Sequence, residues 1–238
     1  MTTLDRLEQY RRRYAALKPD WEPSTACYQR WVAERLSLET RVLDLGCGRG
    51  GIVERLHTQG EWTGIDPDML SLKEHRLSQL PRSHAYAGRL PFAGDTFDIV
   101  VSSWVMEHAE HPAELFKEVA RILRPAGRFF VLTPNAHHPI PGISRLLARL
   151  VHIQQRIVPK IYGRAGKDAF PIYYRANTPD QLDACAQRAG LQRVRLALIE
   201  DPSYFAWNSL TFWCAIRLER LLPVDRKVHL VVEYKRPF

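Results

Sequence analysis

Apolar positions along the chain fall into two recurring patterns. Short continuous runs, such as Val42, Leu43 and Leu45, Trp62 to Ile65, Ile99 to Val101 and Phe129 to Leu132, have the character of buried parallel strands. Between them, Leu115, Phe116, Val119, Ile122 and Leu123 repeat at i, i+3, i+4, the period of an amphipathic helix. That helix closes at Leu123 and Arg124, and the chain turns through Pro125 and Gly127 into the next strand. The pattern predicts strands near 41–45, 61–65, 83–87, 97–102, 128–133, 192–200 and 228–234. Helices are expected over 3–17 and 24–38, between the strands, and near 208–222. In TPDQLDACAQRAG, Thr178 supplies an N-cap, Pro179 the first helical position and Gly190 the stop. Strands alternating with helices predict an α/β fold.

The first strand ends in RVLDLGCGRGG, residues 41–51, and here the backbone turns tightly toward a helix expected to begin near Gly51. Glycine is required where φ turns positive or where a ligand must touch main chain. A following helix aims its free N–H groups at that ligand. Gly46, Gly48 and Gly51 also satisfy G-x-G-x-x-G, a weak dinucleotide signal, and an ordinary glycine turn reads the same way. Asp44, however, would repel a pyrophosphate and suits a cationic ligand. Asp66 ends the second strand twenty residues past Gly46, where an acid can hold ribose hydroxyls of either kind of nucleoside.

Two later blocks narrow the choice: RLPFAGDTFDIVVSSWVMEHAEHP (89–112) and ELFKEVARILRPAGRFFVLTPN (114–135). With LDLGCGRGG and GIDPD, in this order, residues 41–135 resemble class I S-adenosylmethionine-dependent methyltransferases of the UbiE-like, or methyltransferase-11, branch. The resemblance implies a Rossmann-like, doubly wound seven-stranded sheet with an antiparallel last strand and helices on both faces. It implies S-adenosyl-L-methionine as cofactor, held by Asp44, Gly46, Cys47, Gly48, Asp66, Pro67, Met69, Ala87, Gly88, Leu90, Ser102 and Ser103. One position departs from the pattern: the acid common four residues before LPF is Tyr86 here, so adenine must bond main chain or stack on Tyr86.

At 238 residues, 45% of them hydrophobic, the chain is long enough for one fully cored domain. Its expected parts are an N-terminal helical cap (1–40), a cofactor-binding core (41–135), a basic lid insertion (136–177) and the C-terminal part of the sheet (178–238). No apolar run approaches the roughly 20 residues of a membrane span. Met1 to Tyr14 lacks an apolar signal-peptide segment, and the four cysteines show no C-x-x-C spacing. A cytoplasmic location is expected, with membrane association open.

The formal charge is +8, and +6 of it falls in residues 136–177: seven Lys/Arg against Asp168. Ile143, Leu146, Leu147, Leu150, Ile153 and Ile157 share one helical face there, with Arg145, Arg149 and Arg156 elsewhere. The segment reads either as a helical lid with solvated arginines or as a basic amphipathic helix for an anionic or lipid-linked partner. Its end, AFPIYYRANT (169–178), resembles an F-P-x-Y-Y-R-A-N-T box of bacterial methyltransferases. Tyr173, Tyr174 and Arg175, with His137 and His138, are candidate acceptor contacts, and His108 in MEHAEHP is the candidate base for a hydroxyl acceptor.

Ser102-Ser103-Trp104 replaces the D/N-P-P-Y box of amino-methylating nucleic-acid enzymes, and Asn135 stands without the Asp…Asp-Asn trio of magnesium-dependent catechol enzymes. No metal is expected. The leading expectation is methyl transfer, by in-line displacement, to oxygen of a small-molecule or lipid- or sugar-linked acceptor. An RNA methyltransferase is the alternative suggested by the pI near 9.5, although no appended RNA-binding module is visible. A non-catalytic, membrane-peripheral cofactor-binding scaffold is the third.

Overall fold

A computed structural model describes residues 3–141 and 170–238. Seven strands form one sheet: β1 (Arg41–Leu45), β2 (Glu61–Asp66), β3 (Arg82–His84), β4 (Phe97–Ser103), β5 (Leu123–Pro134), β6 (Gln192–Ile199) and β7 (His229–Lys235). Their order is β3-β2-β1-β4-β5-β7-β6; β1 to β5 run parallel, and β7 runs antiparallel to both β5 and β6. The order reverses between β1 and β4, which opens a crevice beyond their carboxyl ends.

Alternation along the strands builds both faces of the core. Leu43, Leu45, Val100, Phe129 and Val131 pack on one side with α5 (Pro112–Ile122) and α6 (Pro179–Arg188). Val42, Ile99, Val101, Phe130 and Leu132 pack on the other with α2 (Ser24–Ala33) and the short α3 (Val53–Leu56). The remaining helices are α1 (Thr3–Leu17), α4 (Met69–Lys73) and α7 (Ser209–Leu221). Tyr14 and Trp21 join Phe212 and Ile216 in a smaller cluster that fixes α1 against α7.

Capping follows the residue chemistry. The Thr178 hydroxyl accepts from Gln181 N–H, Gly190 takes φ +78°, and Asn208 and Thr211 form a reciprocal capping box on α7. Four expected boundaries differ; β5, expected near 128–133 after a turn through Pro125 and Gly127, already begins at Leu123, which pairs with Phe97 of β4. The helix expected over 24–38 ends at Ala33, because Arg35 and Leu36 donate to carbonyls three residues back and Ser37 turns onto Thr40 Oγ1 at 2.8 Å. The third strand spans Arg82–His84 rather than 83–87: it is an edge strand, and the chain beyond folds back through a Tyr86–Arg89 bridge. The helix expected near Gly51 begins at Val53. The expected lid helix lies outside the described residues.

A buried acid ties the antiparallel half of the sheet together. Glu233 on β7 has no solvent exposure and accepts from Arg128 of β5 at 2.8 Å and Arg195 of β6 at 2.5 Å, with Arg35 at 3.6 Å. Arg195 also lies over Trp31, 4.1 Å from the ring centroid. Glu233→Gln keeps the shape but removes the charge these arginines face, and we expect a loss of about 2–4 kcal/mol. Urea unfolding measures it; a change below about 0.5 kcal/mol would show the cluster to be mere surface charge.

Candidate active site

The crevice is a cleft of about 1410 Å³, walled by the 46–51 loop, the ends of β2 and β4, residues 85–88, the 104–111 segment, parts of α1 and α2, and residues 170–173. At its floor β1 passes into the glycine loop. Gly46 and Cys47 N–H both donate to Ile65 O (2.8 and 3.0 Å), so the loop is stitched to the end of β2. Gly46 has φ +79°, and a Cβ there would collide with Val105. Gly48 has φ +50°, and its N–H donates to Asp66 Oδ2 at 2.9 Å.

Asp66 also receives Asp68 N–H, on Oδ1 at 2.8 Å, while Asp68 caps α4 through Leu70 and Ser71. Burial raises the Asp66 carboxyl above its ordinary value, and these two N–H bonds oppose the rise. Asp44 is more extreme. It is 2% exposed, no cationic side chain among the described residues pairs with it, and burial followed by repulsion from Asp66 lifts its carboxyl to about 7. Two neighbouring carboxylates therefore share a site short of positive charge. Cys47 is buried beside them, and burial and these two acids hold its thiol up near 12, so it is inert.

The opposite wall carries His108, on a 3₁₀ turn after β4. Its Nδ1 lies 2.8 Å from Pro171 O, and since a carbonyl only accepts, Nδ1 holds the proton. The other ring nitrogen, Nε2, lies 4.0 Å from Glu107 Oε1. Residues 170–177 are strapped to this segment. Tyr173 and Tyr174 N–H donate to Glu107 O, and Arg175 donates to Glu110 O while lying over the Tyr173 ring. Buried Glu107 accepts from Thr133, which in turn accepts from Asn177 at 2.6 Å.

The cleft brings together Gly46, Cys47, Gly48, Asp66, Pro67, Ala87, Gly88, Ser103, His108 and Tyr173. Asp44 and Ser102 are buried directly behind its floor, and the Ser102 hydroxyl has no hydrogen-bond partner among the described residues. Leu90 is buried with its N–H on Glu118, and Met69 is half exposed at the start of α4; neither lines the cleft. Tyr174 is buried at φ +50° outside the walls, and Arg175 is engaged with Glu110. His137 is exposed, its N–H on Asn135 Oδ1, and His138 is buried 3.3 Å from Glu219 of α7. The histidine pair thus sits away from the crevice, because the chain after β5 turns toward α7.

Sequence reasoning missed three walls. Leu4, Glu8 and Arg11 of α1 share one helical face on the cleft, and Asp201 holds Arg11 at 2.7 Å. Tyr28 enters from α2. Trp104 lines the cleft with φ +60°, its ring edge-on to buried His229. The α1 spacing was visible in the sequence; a tryptophan with positive φ carries no such signal.

Residues 43–131 match the methyltransferase domain family. The chain is an S-adenosylmethionine-dependent methyltransferase. It is 28% identical over 193 residues to the ubiquinone biosynthesis O-methyltransferase of Pseudomonas putida, covering 76% of this chain and 75% of that one. It is 26% identical over 147 residues to the demethylmenaquinone methyltransferase of Chlorobaculum parvum, at 60% and 59% coverage. An S-adenosylmethionine-dependent methyltransferase from Mesorhizobium loti superposes with a TM-score of 0.59 at 18% identity, covering 90% of this chain and 98% of that one, a likeness of fold. The site of this methyltransferase fits a cationic nucleoside cofactor, because a buried carboxylate pair without a cation favours a ligand that brings one.

The raised Asp44 carboxyl has a measurable consequence. A folded-state value of about 7 against an ordinary 3.8 means the folded protein binds the proton more tightly. Through this group, stability of the cofactor-free methyltransferase is lost as pH rises from about 4 to about 7. Asp44→Asn removes that loss. Thermal midpoints from pH 5 to 8 should show the variant gaining on the wild type as pH rises; a constant difference would contradict the assignment.

Proposed function

We propose that this methyltransferase transfers the S-adenosylmethionine methyl group to a hydroxyl of a small-molecule acceptor, with His108 as general base. The observation that carries the reading is the placement of His108 in the wall of the same cleft as Gly48 and Asp66: Nδ1 lies 2.8 Å from Pro171 O, which leaves Nε2, 4.0 Å from Glu107 Oε1, to take a proton. The cofactor supplies an electrophilic methyl group on a sulfonium. The protein's part is to align the acceptor, exclude water and receive the hydroxyl proton.

In this reading Asp66 holds the ribose hydroxyls with the lone pairs its two backbone bonds leave open. Gly46, Cys47 and Gly48 bring main chain against the cofactor, Pro67, Ala87 and Gly88 flank the adenosine, and Asp44 offsets the cationic end. Tyr86, two-thirds exposed beside the cleft, takes the adenine-side position where the family pattern has an acid. Tyr173 and Phe170 face the acceptor, while Tyr174, Arg175 and Glu107 hold the strap that places them. The P. putida relative, named a ubiquinone biosynthesis O-methyltransferase, supports an oxygen acceptor, and the C. parvum relative, named a demethylmenaquinone methyltransferase, supports a ring-bearing one.

Two measurements test this. Asp66→Ala should weaken S-adenosylhomocysteine binding at least about tenfold by calorimetry, since a charge-assisted bond pair is lost; unchanged affinity would remove Asp66 from the cofactor site. His108→Ala should lower kcat on a phenolic acceptor about 10²–10⁴-fold while cofactor affinity stays within twofold. A labelled-methyl screen over phenols, sugars and RNA supplies the acceptor. Label entering RNA alone, or an undiminished His108→Ala rate, would overturn the proposal.

A further inference from the structure

The outer face of α7 is built unlike the other surface helices. Phe212, Ala215, Ile216 and Glu219 turn inward, whereas Leu210 and Leu221 are 73% and 82% exposed and Trp213 and Leu218 also stand out. Trp207, just before the helix, is more than half exposed. At helical spacing Leu210, Trp213 and Leu221 share one outer face with Arg217 between them, an apolar face interrupted by a cation. Arg217 and Arg220 are exposed on the same helix, and its single acid, Glu219, is buried beneath it.

Helix α1 adds cations to this face. Exposed Arg13 stacks on Phe212 and Trp213 (5.2 and 5.9 Å from the centroids) and donates to Ser209 Oγ, whereas Arg6, 5.9 Å over Trp207, has its Nε and one Nη buried beneath that ring. The nearby exposed acids are few: Asp5, Glu8, which pairs with Arg12, and Asp225 beyond the helix. Tryptophans with arginines over their rings, leucines between them and a net positive rim suit the headgroup boundary of an anionic bilayer. The other face of α1, through Leu4, Glu8 and Arg11, walls the cleft.

We propose that the α1–α7 face docks the protein on an anionic lipid surface. Leucine and tryptophan side chains interleaved with exposed Arg13, Arg217 and Arg220 match a surface that is apolar within and anionic at its boundary, and a negatively charged bilayer takes Leu210, Trp213 and Leu221 among its acyl chains. The proposal does not depend on which acceptor is methylated, nor on the basic 136–177 segment. It makes α1 an element shared by the docking face and the cleft wall.

The test is co-sedimentation of the full chain with vesicles of phosphatidylcholine alone or mixed equally with phosphatidylglycerol. Binding is expected on the mixed vesicles and at least tenfold weaker on the neutral ones, falling as salt rises. Leu210→Ser with Leu221→Ser should cut it at least tenfold, and Arg217→Gln with Arg220→Gln several-fold, while S-adenosylhomocysteine affinity is unchanged. Tryptophan emission should be quenched by brominated lipid, less so in Trp213→Phe. Wild-type binding equal on neutral vesicles, or unaltered by the α7 variants, would overturn the proposal. So would complete loss in Arg145→Gln, Arg149→Gln, Arg156→Gln with none in the α7 variants. Sedimentation velocity showing micromolar dimers that these serines dissolve would assign the face to a second copy instead and overturn it equally.

Discussion

Two carboxylates at the ends of adjacent parallel strands, short of a cation, are the constraint around which this protein is arranged. Asp44 lies within β1 one residue before its end, and Asp66 is the last residue of β2; the register pairs Asp44 with Gly64, so Asp66 stands on the same side of the sheet two residues further toward the carboxyl ends. Burying one charge is costly and burying two like charges more so. The fold offsets Asp66 with the Gly48 and Asp68 N–H groups but leaves Asp44 near neutrality. The site is unfavourable when empty at alkaline pH and improves with a positively charged ligand, which is what a cofactor pocket requires.

The other elements serve that floor. The positive-φ glycines let main chain form the floor of the cleft, and Val105 from the β4 exit closes the turn over Gly46. Opposite, the 170–177 strap is held by hydrogen bonds to Glu107, His108, Glu110, Thr133, Pro134 and Ala136, so His108 and Tyr173 are carried on a braced wall. Glu233 performs a similar service deeper in the sheet, joining β5, β6 and β7 through arginines. This antiparallel end supports the acceptor side through Trp104 and His229; burial drives the His229 imidazole down to about 3, so it stays neutral between Ser24 and Tyr204.

Much of this was legible in the chain because local chemistry and global fold agree. Apolar runs gave the strands, Thr178-Pro179 and Gly190 bounded α6 as their capping chemistry demands, and the Asp44–Gly48 loop with Asp66 marked the crevice. What escaped depends on contacts between distant segments. Nothing local says that His138 turns to Glu219 of α7, that Arg175 spends its guanidinium on Glu110 O, or that α1 returns to wall the cleft. The edge strand near 83–87 was overextended because residue pattern alone does not reveal where pairing on one side stops. Trp104 was read only for the motif it replaces, since its positive φ is imposed by neighbours.

The central claim is that a buried, cation-deficient acid pair defines the cofactor site, and proton release reports on it most directly. At pH 6 the Asp44 carboxyl of the free protein is mostly protonated, and a cationic ligand favours its ionised form. Calorimetric titration with S-adenosylmethionine in buffers of different ionisation enthalpy should therefore show release of up to about one proton at pH 6, diminishing toward pH 8 and absent in Asp44→Asn. Binding without proton release at pH 6, or release unchanged in Asp44→Asn, would contradict the account.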